Sequence, residues 1–292
     1  MNHETKGLIL GFLGVTAFGL TLPATRFVVP YFDPLFIGLG RAVVAALVAG
    51  VLLLLAKETV PHKKQIIQLI IVALGVVIGF PVLSAWAMQT VPASHGGVVL
   101  GILPLTTAIV GVLISREKPS LGFWTSGILG ATLVVTYSLF RGVGDFLWGD
   151  LALLGAVIAA GIGYAVGGKL SREIGGWKVI CWALVLSLPI ILVPAIMKAP
   201  QEIYEFPSKV WISFLYLALV SQLFGFFLWN KGLALGGIAR VSQTQLVQPF
   251  ITITASVMLI GETMDMATII FALLVVVTVA FNRKMPIYKK PN

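Results

Sequence analysis

Apolar stretches of about 20 residues recur along the whole chain and are separated by short polar interruptions. A helix needs about 20 mostly apolar residues to cross a bilayer, and backbone inside the hydrocarbon must satisfy its own hydrogen bonds. We therefore predict an all-α integral membrane protein. The pattern gives ten transmembrane helices, at residues 5–29, 34–56, 65–89, 93–115, 121–140, 148–169, 177–197, 209–231, 238–260 and 265–282.

The composition excludes several other classes of protein. Hydrophobic residues make up 58% of the chain and charged residues 11%, whereas a soluble protein needs about 25% charged residues for its surface. A soluble enzyme, a disordered chain and a disulfide-rich secreted module are therefore excluded. The single cysteine, Cys181, excludes an internal disulfide and a zinc site built on several thiolates. No cofactor and no metal site are predicted.

The basic residues indicate an orientation rather than a nucleic-acid partner. The net charge is +9, but the Lys and Arg residues lie at helix boundaries and form no basic patch. With a cytoplasmic N-terminus, 15 of the 20 Lys and Arg residues fall on the inside and four on the outside, and Arg41 lies within the second helix. By the positive-inside rule, both termini are predicted to be cytoplasmic.

Two segments repeat along the chain. Residues 98–120 and 243–265 align without a gap when the first is shifted by 145, which places Pro104 on Pro249 and Glu117 on Glu262. Each half then holds five helices, at residues 1–143 and 144–292, and an odd number inverts the second half in the membrane. Inverted repeats around a central cavity are typical of secondary transporters. Pro104 and Pro249 are our hinge candidates, because they occupy equivalent positions.

Ten helices in two halves, Arg41 in the helix that begins at Asp33-Pro34, and the repeated proline and glutamate resemble the drug/metabolite transporter superfamily with two EamA domains. Within it, the chain most resembles the YddG-type exporters of aromatic amino acids. The resemblance implies a basket-shaped fold in a bacterial cytoplasmic membrane. It also implies a central cavity lined by helices one to four and six to nine, with the fifth and tenth peripheral, and export from the cytoplasm.

The ninth helix is the richest in polar residues. Gln245, Gln248 and Thr252 have the spacing of one helical face. An amide offers donors and an acceptor, so the two glutamines can hold both the ammonium and the carboxylate of a zwitterion. Interhelical hydrogen bonding is the structural alternative. We predict that Gln245 and Gln248 line the cavity.

Further substrate-binding candidates lie in five other helices. Aromatic faces suit a planar ligand, and polar tips can orient it. His95, near the outer mouth, is a candidate gate residue or proton relay, or else a neutral helix cap. The remaining candidates are Trp86, Gln89, Tyr164, Trp182, Gln222 and Asn230.

The charged residues bear on the mechanism. Arg41 is the one basic residue well inside a predicted helix; it can bind a carboxylate or phosphate, but we expect a structural role. No Asp or Glu lies at the centre of a predicted helix, which disfavours carboxylate-coupled pumping. We predict a facilitative exporter of neutral or zwitterionic metabolites, with aromatic amino acids first, that works by alternating access. One chain supplies both halves, which favours a monomer.

Three alternative functions agree less well with the sequence. The spacing Gly163, Gly168, Lys169 imitates a phosphate-binding loop, but Leu170 replaces the required Ser or Thr and no strand precedes it, so an enzyme is not predicted. An organophosphate or drug antiporter of the same superfamily would need several buried basic groups or a buried counter-ion. A non-transporting membrane scaffold would leave the glutamine face unexplained.

Overall fold

The protein is described by a computed structural model that covers residues 2–115, 118–140, 145–201, 206–263, 265–282, 284–285 and 287–288. These residues are almost entirely helical. Turns and loops connect the helices, and the strands among the described residues are an antiparallel two-residue pair, β1 (Lys118–Pro119) and β2 (Ile287–Tyr288).

The predicted first half contains eight α-helices and one π-helix among the described residues. Their bounds are α1 His3–Gly19, α2 Thr21–Val28, α3 Pro34–Leu55, α4 Lys63–Val72, a first π-helix Ala73–Gly79, α5 Phe80–Ala87, α6 Ala93–Leu100, α7 Leu103–Ser115 and α8 Leu121–Phe140.

The predicted second half has a similar order. Its helices are α9 Asp145–Ile174, α10 Gly176–Met197, α11 Ser208–Leu215, a second π-helix Tyr216–Phe224, α12 Gly225–Gly236, α13 Ile238–Val241, a 3-10 helix Ser242–Val247, α14 Gln248–Ile260 and α15 Met266–Asn282.

Seven helices of the described chain are long and apolar enough to cross a membrane. Two shorter apolar helices, Leu121–Tyr137 and Met266–Phe281, cover the predicted fifth and tenth spans. The predicted ninth span is helical but divided, because a 3-10 helix separates α13 from α14. An all-helical membrane fold is therefore present, and the number of ten crossings stays a prediction.

The first π-helix has a local cause. Pro81 has no amide hydrogen, and its ring would clash with a carbonyl one turn earlier in a regular α-helix. The wider π-helical turn ends at Gly79, just before this proline. In the π pattern the Val76 carbonyl would accept from residue 81, which has no N–H to donate. Instead, the Gln222 side chain donates from Nε2 to the Val76 carbonyl oxygen at 2.9 Å.

Glycines allow the helices of the two halves to approach closely. A Cβ added to Gly7 of α1 would lie 2.5 Å from the backbone nitrogen of Gly236 in α12. A Cβ on Gly75 would lie 2.5 Å from the Ala159 carbonyl oxygen of α9. Backbone cannot move aside as a flexible side chain can, so these positions require glycine.

Candidate functional site

The two π-helices border one enclosed cavity near the middle of the helical bundle. Val76 of the first π-helix lines it, together with Ser221 and Gln222 of the second. π-Helical turns inside helices are frequent at functional sites, because they shift side chains and free carbonyl groups. The remaining lining residues are Phe18, Thr21, Arg41, Phe80, Tyr164, Phe226 and Gln248.

Arg41 is the charged group of this cavity. It lies about 10 Å from the N-terminal end of α3 and is only 1% exposed. Among the described residues, its Nε has no hydrogen-bond partner, and Arg41 forms no ion pair there. A buried cation without a counter-ion is costly, and an anionic ligand group in the cavity would supply one.

Amide groups beside Arg41 also have unused hydrogen-bonding capacity. The Oε1 of Gln248 is buried without a partner in the described structure. Gln245 is buried as well, and neither atom of its amide is paired there. Gln248 borders the cavity, whereas Gln245 lies outside its lining. Buried polar groups are normally satisfied, and the Gln248 oxygen can accept a hydrogen bond from a donor that enters the cavity.

Aromatic rings form another part of the site. Phe18 stacks on Tyr164 with ring centroids 6.1 Å apart, and the centroids of Phe18 and Phe226 are 5.0 Å apart. Trp229 packs behind them, with its centroid 5.3 Å from that of Tyr164. Such rings offer flat apolar faces to a planar ligand.

The enclosed space is small. The lining side chains leave room for about one water molecule. A solute the size of an amino acid can therefore occupy this site only after the surrounding helices move apart.

The structure brings some predicted site residues together and separates others. Tyr164, Gln222 and Gln248 meet around Arg41. Trp86 is 48% exposed on α5, and Gln89 follows α5 in an exposed turn. Trp182 borders a separate polar pocket with Glu58, His62 and Lys178. Asn230 donates from Nδ2 to the Gly176 carbonyl at 3.2 Å, which ties α12 to α10.

His95 is also separate from the cavity. Its Nε2 lies 2.7 Å from Oδ1 of Asp150, and both residues are only 2% exposed. The prediction of facilitative transport depended on the absence of Asp and Glu from the centre of the predicted helices. Asp150 does not contradict that premise, because it is the third residue of the predicted helix 148–169, but it is a buried carboxylate beside an ionisable side chain.

The hinge candidates occupy equivalent structural positions. Pro104 is the second residue of α7, which begins after the turn that ends α6. Pro249 is the second residue of α14, which begins after the 3-10 helix. Glu262 accepts hydrogen bonds from the Ala93 and Ser94 amides, at 2.8 and 2.9 Å, and so caps the start of α6. Its counterpart in the repeat, Glu117, lies outside the described residues.

Comparisons with known proteins identify relatives along most of the chain. Residues 5–139 and 147–283 each match the EamA-like transporter family. The Bacillus subtilis (strain 168) protein named uncharacterized transporter YdeK is 43% identical over 284 residues, covering 97% of this chain and 99% of the relative. Uncharacterized transporter YyaM of the same organism is 22% identical over 93% of this chain and 91% of its own length.

One solved structure, described only as "Crystal structure of protein", has the same fold, with a TM-score of 0.69 at 15% identity over 96% of this chain and 97% of that chain. The two family matches and the long alignment with YdeK lead to one conclusion. The chain belongs to the EamA-like transporter family of the drug/metabolite transporter superfamily, and it is a multi-pass membrane transporter with two EamA-like domains.

Proposed function

We propose that this transporter exports small zwitterionic metabolites, with aromatic amino acids as the first candidates, by alternating access through the cavity around Arg41. The observation that carries the proposal is the buried Arg41 guanidinium, whose Nε has no hydrogen-bond partner and which forms no ion pair among the described residues. A bound carboxylate supplies the missing counter-ion, and an arginine can hold it through two parallel hydrogen bonds. This proposal gives Arg41 a binding role in place of the structural role that we expected from the sequence.

The other cavity groups fit the rest of an aromatic amino acid. The unpaired Oε1 of Gln248 can accept a hydrogen bond from the ammonium group. Phe18, Tyr164 and Phe226 offer aromatic surface to the side chain. The carboxylate, the ammonium and the ring thus each have a matching partner.

The alternatives fit the cavity less well. An organophosphate carries about two negative charges, but Arg41 is the only basic side chain among the described residues that line the cavity. A cationic drug would be repelled by Arg41 and would find no carboxylate in that lining. A scaffold would bear the cost of unpaired buried polar groups without a benefit.

The wider architecture is part of the same proposal. Ten helices form two inverted repeats, with the boundary near residue 143, both termini cytoplasmic and the membrane a bacterial cytoplasmic membrane. Two observations support the repeat. When the residue numbers of the first π-helix are shifted by 145, its range falls within that of the second π-helix. The predicted fourth and ninth helices are also interrupted at equivalent places. Pro104 and Pro249 act as hinges on either side of the substrate, and the protein works as a monomer.

Counterflow of labelled phenylalanine in liposomes that contain the purified protein tests the proposal. We expect phenylalanine and N-acetylphenylalanine to compete with the labelled phenylalanine, because both keep the carboxylate. Phenylalaninamide, a sugar phosphate and a cationic dye should not compete. Competition by the amide equal to that by phenylalanine would contradict a carboxylate site. Competition by the phosphate or the dye alone would favour the corresponding alternative.

A further inference from the structure

A buried ionisable pair lies apart from the substrate cavity. His95 is in the first turn of α6, and Asp150 is in the second turn of α9. Their side chains are 2% and 3% exposed, and Nε2 lies 2.7 Å from Oδ1. The second carboxylate oxygen, Oδ2, has no hydrogen-bond partner within the described chain. Ionisable side chains buried in a membrane protein mark proton or ion pathways more often than packing sites.

The surroundings of the pair are acidic. The Tyr137 ring of α8 stacks on the His95 ring with centroids 4.5 Å apart, and its hydroxyl lies 3.0 Å from Thr268 Oγ1 of α15. That Thr268 hydroxyl donates to Asp265 Oδ1 at 2.6 Å. At the same end of α6, Glu262 caps the helix through the amides of Ala93 and Ser94.

One basic side chain also lies near this end of α6. Arg26 of α2 donates to the carbonyl oxygens of Met88 and Gln89, just beyond α5. The described contacts bring five ionisable groups to this end of α6: Asp150, Asp265, Glu262, Tyr137 and Arg26. Carboxylates outnumber the basic groups in this set.

Protonation of such a pair has a simple charge balance. A neutral imidazole beside a carboxylate carries a net charge of −1, and one added proton turns it into an imidazolium–carboxylate pair with no net charge. The neutral pair is better tolerated in a medium of low dielectric constant. Imidazole is also the side chain whose charge ordinarily changes between about pH 5 and pH 8.

We propose that His95 and Asp150 form the proton-binding site that couples export of the solute to proton uptake. One proton from the outer solution binds the imidazole while Asp150 stays the counter-ion, and it leaves to the cytoplasm in the alternate conformation. No covalent bond of the solute changes. The proton site stands on its own geometry, whereas the coupling rests on the proposed function.

One helix contact and one shared helix connect the pair with the substrate cavity. Gly97, two residues after His95, faces Thr252 of α14, and a Cβ on Gly97 would lie 3.1 Å from Thr252 Cγ2. Gln248, which lines the cavity, is one turn before Thr252 on α14. On the other side, Tyr164 lines the cavity about 21 Å along α9 from Asp150. A change of charge at His95 can therefore alter the packing of two helices that border the substrate.

The first test needs no substrate. The chain has three histidines, so nitrogen-15 NMR of histidine-labelled protein in lipid nanodiscs can follow the His95 imidazole, with His95→Gln identifying its signals. We expect the His95 signals to change from the neutral to the protonated form between pH 9 and pH 5, and to do so at lower pH in Asp150→Asn. Signals that stay constant over this range would overturn the proton site.

The second test concerns coupling and uses liposomes with an imposed pH gradient. We expect the wild type to accumulate phenylalanine against its concentration gradient. Asp150→Asn should lose at least roughly nine-tenths of this accumulation. The variant should still exchange phenylalanine when no pH gradient is imposed. Glu262→Gln removes a carboxylate at the same end of α6 and should keep the accumulation.

The outcomes separate the two proposals. Exchange by the wild type without any pH-driven accumulation would overturn the coupling. Accumulation retained in Asp150→Asn would overturn the role of this pair. Absence of exchange in the wild type would count against the proposed function and against coupling to this solute, while the NMR experiment would still decide the proton site.

Discussion

The predicted fourth and ninth helices share a backbone design but differ in chemistry. Each is interrupted after its first turns and then continues in an α-helix whose second residue is proline, Pro104 in α7 and Pro249 in α14. The fourth carries the buried, ionisable His95, whereas the ninth carries the neutral amides Gln245 and Gln248. Similar backbone breaks thus serve two sets of side chains. We assign proton binding to the fourth helix and, together with Arg41, solute binding to the ninth.

The largest expected effect is that of Arg41→Met. Loss of two charge-assisted hydrogen bonds to a carboxylate should weaken phenylalanine binding by roughly 100-fold or more. The free energy of unfolding should stay equal or rise, because an unpaired buried charge is removed. Calorimetric binding and thermal unfolding in detergent measure the two effects.

Arg26→Met is the matched control for Arg41→Met. The Arg26 guanidinium donates to carbonyl oxygens of Met88 and Gln89, so this variant should be less stable but should still bind phenylalanine. Clear destabilisation by Arg41→Met with unchanged binding would mean that Arg41 is structural.

Gln248→Ala should have a smaller effect on binding. One hydrogen bond to a charged group contributes about 1.5 kcal/mol or more, so we expect a loss of affinity of roughly tenfold. Gln245→Ala removes the same type of side chain at a position outside the cavity lining, so it should change affinity by less than about threefold. Competition binding with phenylalanine measures both variants, and equal losses would place the solute across both glutamines.

Gly97→Ala tests the contact between the two helices. The added methyl would lie 3.1 Å from Thr252 Cγ2 of α14, and such overpacking costs about 1–3 kcal/mol. Gly50→Ala adds the same methyl 3.8 Å from Val185 Cγ2 and should be neutral or mildly stabilising. Urea or thermal unfolding that ranks the two variants in the opposite order would show that α6 and α14 are not tightly packed.

Glu262→Gln should have a modest effect on stability. The amide oxygen can keep one of the two hydrogen bonds to the start of α6, whereas the other backbone N–H loses its acceptor. The favourable interaction of a negative charge with the helix dipole is also lost, and this part costs about 0.3–1 kcal/mol. Thermal unfolding at low and high salt measures this loss, and salt should diminish the difference from wild type. A difference that does not depend on salt would exclude the dipole explanation.

Hydropathy was sufficient to predict the helical membrane fold, because lipid allows few alternatives to long apolar helices. The breaks within the helices were less accessible. Pro81 gives a local reason for the first π-helix, but no proline accompanies the second, at Tyr216–Phe224, and its cause must lie in tertiary packing. The spacing of Gln245 and Gln248 predicts one regular α-helix. In the structure Gln245 lies in a 3-10 helix that ends at Val247, and Gln248 begins α14.

The site was predictable only in part. Tyr164, Gln222 and Gln248 were recognised as polar or aromatic residues within apolar helices, and they meet at the cavity. The pairing of His95 with Asp150 joins residues that are 55 positions apart, and no local pattern reveals such a contact. Trp86 carried the same signal as Tyr164, yet it lies on the exposed side of its helix, because the sequence does not specify which face meets the cavity.

The most direct test of the carboxylate site is calorimetric binding of phenylalanine and phenylalaninamide to the wild type and to Arg41→Met. We predict that the wild type binds phenylalanine at least roughly 100-fold more tightly than the amide, and that Arg41→Met abolishes this preference. Equal affinities of the wild type for the two ligands, or an unchanged preference in Arg41→Met, would contradict a carboxylate site at Arg41.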